Sequence, residues 1–199
     1  RPPSIVGICE VENKKVVEDL IADEKLKNHN YGIVHYDSPD NRGIDVGMIY
    51  NKDVFMVKNS NSHEVYITDN NSNKRRNTRD QLVVSGYLQG ELMHFIVNHW
   101  PSRGADETKR IAAAEVNNSI IDSLREKYND PKIITMGDFN DDPFDKSIKK
   151  VLGAKKNIKD LNKNDMYNPF ETILVDDGIG TNAYSCLLYT SDAADDLVG

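Results

Sequence analysis

The sequence predicts an α+β fold in which helices cover packed β-sheets. Apolar runs of strand length recur along the chain, and two of them, 81–88 and 91–98, flank Gln89-Gly90 as a hairpin. The segment 105–128 instead has the three- and four-residue apolar spacing of an amphipathic helix. Because hairpins are mixed with strand–helix–strand crossovers, a layered fold is expected rather than a bundle or a purely β-sheet domain.

The remaining elements follow from local patterns. Strands are predicted at 4–9, 31–35, 44–50, 54–57, 81–88, 91–98 and 132–136. The first and last of these are nearly continuous apolar runs, which is typical of strands covered on both faces. Asn13 is expected to cap a helix whose apolar side comprises Val16, Val17, Leu20 and Ile21. A short helix is predicted at 145–152 and an exposed polar loop at 69–77.

Length and composition indicate one globular domain. The chain has 199 residues with 38% hydrophobic residues and a net charge of −7, which argues against a surface coated in basic charge for indiscriminate nucleic-acid binding. No apolar run approaches the roughly 18 residues of a membrane-spanning helix. The two cysteines form no disulfide framework, and Cys9 is expected to be a buried thiol, so the compartment, exported or cytoplasmic, stays open.

The strongest chemical signal is the segment that follows the strand 132–136. Asp138 and Asn140 come after the strand and Gly137, and in an extended backbone positions two apart share a face. A carboxylate beside an amide suits the deprotonation and orientation of a water that attacks phosphorus. Spacing alone leaves an Asx-rich turn equally open. Asp141 and Asp142 are interpreted as turn and cap residues.

A second acidic group follows the first strand. Glu10 comes directly after the apolar run, where one carboxylate with a few helpers is enough to hold Mg²⁺, which keeps several waters. Glu12 would share a face with Glu10 in a strand, but a solvated residue in the first helical turn explains it equally well. Taken alone, Glu10 is a weak signal.

Histidine and arginine complete the candidate residues. His99 closes the second hairpin strand, beside the only Trp and a Pro-marked loop, and for an isolated His a structural role is favoured. Four cations cluster before the strand 81–88, namely Lys74, Arg75, Arg76 and Arg79, while Arg42 and Arg103 occupy separate loops. Arg79 is the strongest candidate for a phosphate contact because the adjoining strand would fix its position.

The order of these motifs resembles the endonuclease/exonuclease/phosphatase superfamily. The resemblance covers roughly residues 1–184. It rests on a Glu directly after the first strand, an Arg-Gly loop, and the motifs Asn-His-Trp-Pro-Ser and Gly-Asp-Phe-Asn. It is strongest to a bacterial branch in which Cys-Glu-Val-Glu-Asn and Asp-Ser-Pro-Asp-x-Arg-Gly-Ile-Asp-Val also recur. The family includes deoxyribonucleases, abasic-site endonucleases, sphingomyelinases and inositol-polyphosphate phosphatases, and the resemblance implies its four-layered α/β sandwich of two mixed sheets flanked by helices, as in DNase I.

The resemblance also implies roles for individual positions. Glu10 matches the metal-binding glutamate, and His99 matches a phosphate-stabilising histidine or tyrosine. Asp138 and Asn140 match the pair that activates and orients the attacking group. Arg79 falls where some nucleases carry a phosphate-contacting arginine. In addition, Asp45 is a plausible orienting partner for His99.

Departures from the family pattern predict an incomplete domain, 1–185. An Asn of the family's first strand would precede Arg1, and a later Asp and an Asp-His pair find no match. The stretch 186–199 resembles a translated sequencing adapter, and Ser191-Asp192 is followed by Ala193 rather than the family's His. An ordinary acidic tail is the alternative. The 199-residue chain is accordingly expected to be inactive.

The sequence therefore predicts a metal-dependent phosphoric ester hydrolase that uses Mg²⁺ or Mn²⁺. A nuclease-type phosphodiesterase, with DNA among its candidate partners, is the leading expectation, and a monomer is expected. A phosphatase or phospholipase acting on small phosphoesters is the alternative within this class. The alternative from another class is a non-catalytic fragment that keeps the fold to bind a partner.

Overall fold

The computed structural model describes residues 2–68, 75–180, 182–184 and 187–189. These residues divide between two compact units, Arg1–His99 with Ile120–Gly137 and Trp100–Ser119 with Asp138–Gly199. The predicted foreign tail, 186–199, lies outside the described residues apart from one short strand. Among the described helices, none combines the length and apolar character needed to cross a bilayer.

Eleven strands and three α-helices are present in the described residues. In chain order they are β1 (Ile5–Val11), α1 (Lys14–Ala22), β2 (Tyr31–His35), β3 (Asp45–Asn51), β4 (Phe55–His63), β5 (Ile67–Thr68), β6 (Arg75–Arg76), β7 (Gln81–Leu88), β8 (Glu91–His99), α2 (Glu107–Lys127), β9 (Lys132–Asp138), α3 (Pro169–Val175), β10 (Asn182–Tyr184) and β11 (Leu187–Tyr189). A π-helical turn, Ser147–Val151, and a 3-10 turn, Ile158–Asp160, precede α3.

Two sheets pack against each other in the first unit. One has the strand order β1-β3-β2 and the other β4-β7-β8-β9. Alternating apolar side chains from both sheets meet in a shared core, which comprises Val46, Met48, Phe55, Leu82, Val84, Phe95 and Val97. Burial of this apolar surface is the main source of stability for the unit, at about 25 cal/mol for each Å² removed from water.

Helices flank the sheets. Val17 of α1 packs with Val11, Tyr31 and Ile49 on the outer side of the first sheet, and Asn13 caps the helix by accepting a hydrogen bond from the Val16 amide. Together with the packed sheets, these helices confirm the predicted α/β sandwich. The hairpin is confirmed too, since Gln89 and Gly90 both have positive φ, as a tight two-residue turn requires.

Several local expectations were wrong. Val16 and Leu20 are largely exposed, so the buried side of α1 is narrower than its apolar pattern indicated. The strand expected at 54–57 continues to His63, because pairing with β7 supports a polar sequence that has no strand pattern of its own. The short helix expected at 145–152 is present as a π-helical turn, Ser147–Val151.

The outer strands are also less buried than their apolar sequences indicated. Ile134 of β9 is largely exposed, and the Cys9 thiol is only half-buried, donating a hydrogen bond to the Asn98 carbonyl at 3.2 Å. Both β1 and β9 stand at the edge of their sheets in the described residues, so each lacks a neighbouring strand on one side. An apolar run does not distinguish an edge strand from a central one.

One buried histidine makes the first unit sensitive to pH. His94 of β8 is fully buried, its Nδ1 lies 2.7 Å from the Ser85 hydroxyl, and its ring packs on Tyr128 just after α2. Burial lowers the pKa of His94, and the nearby cations of Lys58 and Lys127 lower it further. The folded state therefore binds a proton at this ring less readily than the unfolded chain does.

We expect the contribution of neutral His94 to the free energy of unfolding to be fully present above about pH 6.5, the ordinary pKa of histidine. This contribution should fall as the pH drops toward the lowered pKa of His94 in the folded state. Urea unfolding across this range measures the effect. His94→Gln should flatten the dependence because glutamine does not titrate. Burial also lowers the pKa of His63, so His63→Gln should independently reduce the pH dependence of stability. An unaltered pH dependence in the double variant would contradict both assignments.

Candidate active site

A β-bulge places Glu10 at the end of β1. Ile8 pairs with Gly47 and Val11 pairs with Asp45, so two residues of β1 stand opposite one residue of β3. Glu10 has φ 59°, a left-handed conformation that costs a residue with a Cβ about 1–2 kcal/mol. Bulges of this kind re-aim a side chain, and here the carboxylate is exposed rather than directed into the sheet. Backbone strain at Glu10 is a structural reason, independent of the family resemblance, to consider a functional role for this residue.

Buried contacts fix the end of β8, where His99 lies. Asn98 and His99 are both buried. The Asn98 side-chain amide donates to Thr135 Oγ1 at 2.8 Å and to the Met136 carbonyl at 3.2 Å, both in β9. The backbone beside His99 is thus fixed in the first unit by a side chain that the sequence analysis did not single out. The sequence signal for it was the polar Asn at the end of an otherwise apolar strand.

Gly137 permits this close approach of β9 to β8. Its φ is +120°, and a Cβ at this position would overlap the backbone oxygen of Asn98. The glycine of the Gly-Asp-Phe-Asn motif is therefore required for strand packing.

Asp45 contacts His35, so the expected pairing of Asp45 with His99 was wrong. Its Oδ2 lies 2.9 Å from His35 Nε2, and its Oδ1 accepts the Ser38 amide at 2.7 Å. The cause is the strand register: His35 stands opposite Gly47, which places Asp45 diagonally across on the same face. His35, which had no distinguishing sequence context, is thus part of a buried pair.

His35, Asp37 and Asp45 form the one group of three metal-capable side chains among the described residues, with ligand atoms within 4.8 Å of one another. The two carboxylates approach different ring nitrogens, since Asp37 lies 3.9 Å from Nδ1. A metal ion binds a histidine at a single nitrogen. In this geometry the group therefore fits a hydrogen-bonded imidazole better than a metal site.

Arg79 is buried and directed at an acidic partner. Its Nη1 lies 3.3 Å from Asp40 Oδ2, and both side chains are largely excluded from solvent. The neighbouring Asp80 amide donates to Ser38 Oγ at 3.1 Å. These contacts hold the loop after β2 against the start of β7, and a phosphate at Arg79 would compete with Asp40. Lys74 lies outside the described residues.

Asp138 and Asn140 form a tight turn in the second unit. The Asn140 amide donates to Asp138 Oδ1 at 2.8 Å, and the Asn140 side chain donates to the Trp100 carbonyl at 2.9 Å. Since β9 ends at Asp138 and Asn140 has φ 50°, the expectation that the two side chains share a strand face was wrong. The Asx turn that the sequence left open is therefore the structure observed here.

The side chains of the following two aspartates form ion pairs, whereas turn and helix-cap roles were expected. Asp141 is buried, with Oδ1 2.7 Å from Arg110 Nε and Oδ2 accepting from Ser147 Oγ at 2.6 Å. Burial raises the pKa of Asp141, whereas the Ser147 hydrogen bond and the Arg110 cation oppose the rise. Asp142 pairs with Arg103 at 3.0 Å. The backbone after Asn140 is therefore firmly held.

Comparison with known proteins agrees with this architecture. Residues 1–193 match the Endonuclease/Exonuclease/phosphatase family. The chain belongs to that family. Members of this endonuclease/exonuclease/phosphatase family are hydrolases that act on phosphoesters. No curated protein matches the chain.

Three solved structures of the same fold are similar to this family member. The human Nocturnin catalytic domain is 16% identical with a TM-score of 0.60, covering 84% of this chain and 64% of its own. ANGEL2, a 2',3'-cyclic phosphatase, is 15% identical with a TM-score of 0.58, covering 93% and 50%. D. rerio TDP2 complexed with a single-strand DNA product is 17% identical with a TM-score of 0.53, covering 75% and 52%. The chain thus spans half to two thirds of the length of these structures.

The predicted site residues divide between the units. Glu10, Arg79 and His99 belong to the first, and Asp138 and Asn140 to the second. Their catalytic, phosphate-binding and metal-binding roles stay predictions.

Glycine at position 10 should separate function from strain. In the full-length protein we expect Glu10→Gly to raise stability by about 1 kcal/mol, because glycine adopts positive φ without a steric penalty, and to abolish phosphoester hydrolysis. Gln89→Gly is the matched control, since Gln89 has φ 51° in the hairpin turn. It should give a similar gain in thermal unfolding with activity unchanged. Full activity in Glu10→Gly would remove Glu10 from the site.

Proposed function

We propose that this protein is a metal-dependent phosphodiesterase of the nuclease type, using Mg²⁺ or Mn²⁺. The observation that carries the proposal is the strained backbone of Glu10, an exposed residue, in a member of a phosphoesterase family. A strained backbone persists only where the surrounding structure over-determines it, and such strain concentrates at functional sites.

The donor chemistry of Glu10 fits the proposed cation. Mg²⁺ prefers oxygen ligands and retains several waters, so it needs only one or two protein carboxylates. The exposure of Glu10 leaves room for those waters. When bound, the cation would supply neutralisation of charge on the phosphoryl oxygens.

The chain's own residues would accept the proton of the attacking water and stabilise the charge on the phosphoryl oxygens. Asp138 would accept the proton of the attacking water, and Asn140, held at the Trp100 carbonyl, would orient that water. His99 and Arg79 would stabilise charge on the phosphoryl oxygens, with Arg79 exchanging Asp40 for phosphate. Preorganisation supports these roles, since buried contacts already fix the backbone on each side of His99 and Asn140.

Replacement of the proposed base is the direct test. Asp138→Asn keeps an oxygen that can accept the Asn140 amide but cannot take a proton at neutral pH. We expect hydrolysis by the full-length protein to fall by about 10²–10⁴-fold with thermal unfolding unchanged. Asp122→Asn, an exposed side chain on α2, is the control and should retain activity. Undiminished turnover in Asp138→Asn would refute the assignment.

A phosphatase or phospholipase acting on small phosphoesters is the second candidate, favoured by the net charge of −7. ANGEL2 is a 2',3'-cyclic phosphatase of similar fold. A substrate panel separates the candidates: plasmid DNA, an abasic-site oligonucleotide, a 2',3'-cyclic nucleotide, sphingomyelin and inositol phosphates, each with and without EDTA. We expect cleavage of a polynucleotide that EDTA abolishes. Activity that persists in EDTA would contradict metal dependence, and binding without turnover would favour a non-catalytic protein.

A further inference from the structure

One segment of the second unit is strongly basic although the protein as a whole is acidic. Residues 146–163, here called the lysine segment, contain seven lysines and one acidic residue, Asp160, and so carry a net charge of +6 in a chain of −7. The segment belongs entirely to the second unit. None of the proposed catalytic roles involves it.

Three of these lysines anchor the segment. Lys149 pairs with Glu171 of α3, Lys155 pairs with Asp165 at 2.6 Å, and Lys156 pairs with Asp176 at 3.2 Å. The Lys155 amide also donates to the Met166 carbonyl, which closes the intervening loop. These pairs give the segment a defined conformation on the second unit.

The other four lysines have a different environment. Lys146, Lys150, Lys159 and Lys163 are exposed, and none forms an ion pair within the residues that the structure describes. Lys146 and Lys150, four residues apart on a helical turn, project on one side of it. Lys159 and Lys163 lie on the loop closed by Lys155. Their charges are therefore available to an external anion.

Exposed aromatic rings accompany these lysines. Phe144 is 52% exposed and Tyr167 is 43% exposed. Phe144 does not protrude from a loose loop, because Arg103 holds the residues around it by contacts to Asp142 at 3.0 Å and Asp145 at 2.9 Å. A rigid backbone thus presents an apolar ring to solvent two residues from Lys146.

We propose that the lysine segment, with Phe144 and Tyr167, is a docking surface for single-stranded nucleic acid. Ammonium groups neutralise phosphates, and exposed rings stack on unpaired bases, which a duplex does not offer. Phe144 is four residues from Asn140, so their Cα atoms lie within about 14 Å of each other. A strand on this surface therefore passes close to Asp138 and Asn140. This inference rests on the proposed function in taking that strand as the substrate.

Binding in EDTA tests the surface without hydrolysis. Fluorescence anisotropy of a labelled oligothymidylate and oligouridylate should give a Kd for the full-length protein that weakens steeply with salt. Each of the pairs K146Q/K150Q and K159Q/K163Q should lower the slope of log K against log salt by about 1.4, since single strands contribute roughly 0.7 per phosphate neutralised. The matched control is K25Q/K52Q, two exposed lysines of the first unit, which should bind like the parent protein.

Two further variants separate charge from stacking and from folding defects. Phe144→Ala should weaken binding about fivefold or more with the salt slope unchanged, because stacking releases no counterions. K146R/K150R keeps the charge and should bind like the parent. If these lysines had only a structural role, K146R/K150R and K146Q/K150Q would weaken binding to the same extent.

Several outcomes would overturn the proposal. One is oligonucleotide binding by the parent protein that does not depend on salt. Another is a loss of binding in K25Q/K52Q equal to that in the lysine-segment variants. A third is binding to phosphatidylserine vesicles in place of oligonucleotides. The inference and the proposed function fail separately. Retained oligonucleotide binding by an inactive enzyme would remove the catalytic assignment alone. EDTA-sensitive cleavage of plasmid DNA without binding of single-stranded oligonucleotides would remove the docking surface alone.

Discussion

The hydrogen bonds of the buried Asn98 fix the strands that carry two of the first unit's candidate residues, Glu10 and His99. The Asn98 side-chain amide spans from β8 to β9, where it meets the Thr135 hydroxyl and the Met136 carbonyl. A buried polar group left unsatisfied costs about 1–3 kcal/mol, so the amide and its acceptors hold each other in register. The Asn98 carbonyl in turn accepts from Cys9, one residue before Glu10. The side chain and backbone of Asn98 therefore connect β1, β8 and β9, and within the first unit β1 carries Glu10 and β8 carries His99.

Among the residues with positive φ, Glu10 has an unusual position in the fold. In the described residues, five positions other than glycine have positive φ, and two of them are Glu10 and Asn140. The other three, Asn30, Gln89 and Asp130, lie in turns between elements, where such conformations are common. Glu10 differs because it stands within a paired strand and is not a residue type that favours this region. A different residue at position 10, such as glycine, would give a more stable backbone. Retention of a less stable residue is the usual sign that the position is selected for function.

Sequence patterns located six of the seven predicted strands to within one or two residues, but they missed the short strands β5, β6, β10 and β11 and did not reveal side-chain partners. The hairpin 81–98 and the Asn13 cap follow from local chemistry, so they were predictable. The pairing of Asp45 with His35 depends on the register between β2 and β3, which no single segment encodes. Likewise, the turn at Asn140 depends on a dihedral angle that spacing does not specify. Residue patterns supplied the candidate residues and the family resemblance gave them roles, whereas the bulge at Glu10 and the burial of Arg79 against Asp40 required coordinates.

The packing at Gly137 changes how loss-of-function data for its motif should be interpreted. Any side chain at this position would push β9 away from β8 and break the contacts of Asn98. A random mutational survey would consequently rank position 137 as intolerant as its neighbour Asp138, although glycine has no group that could take part in a reaction. Intolerance to substitution at these two adjacent sites has two unrelated origins, one steric and one chemical, and only measurement of the folded fraction tells them apart.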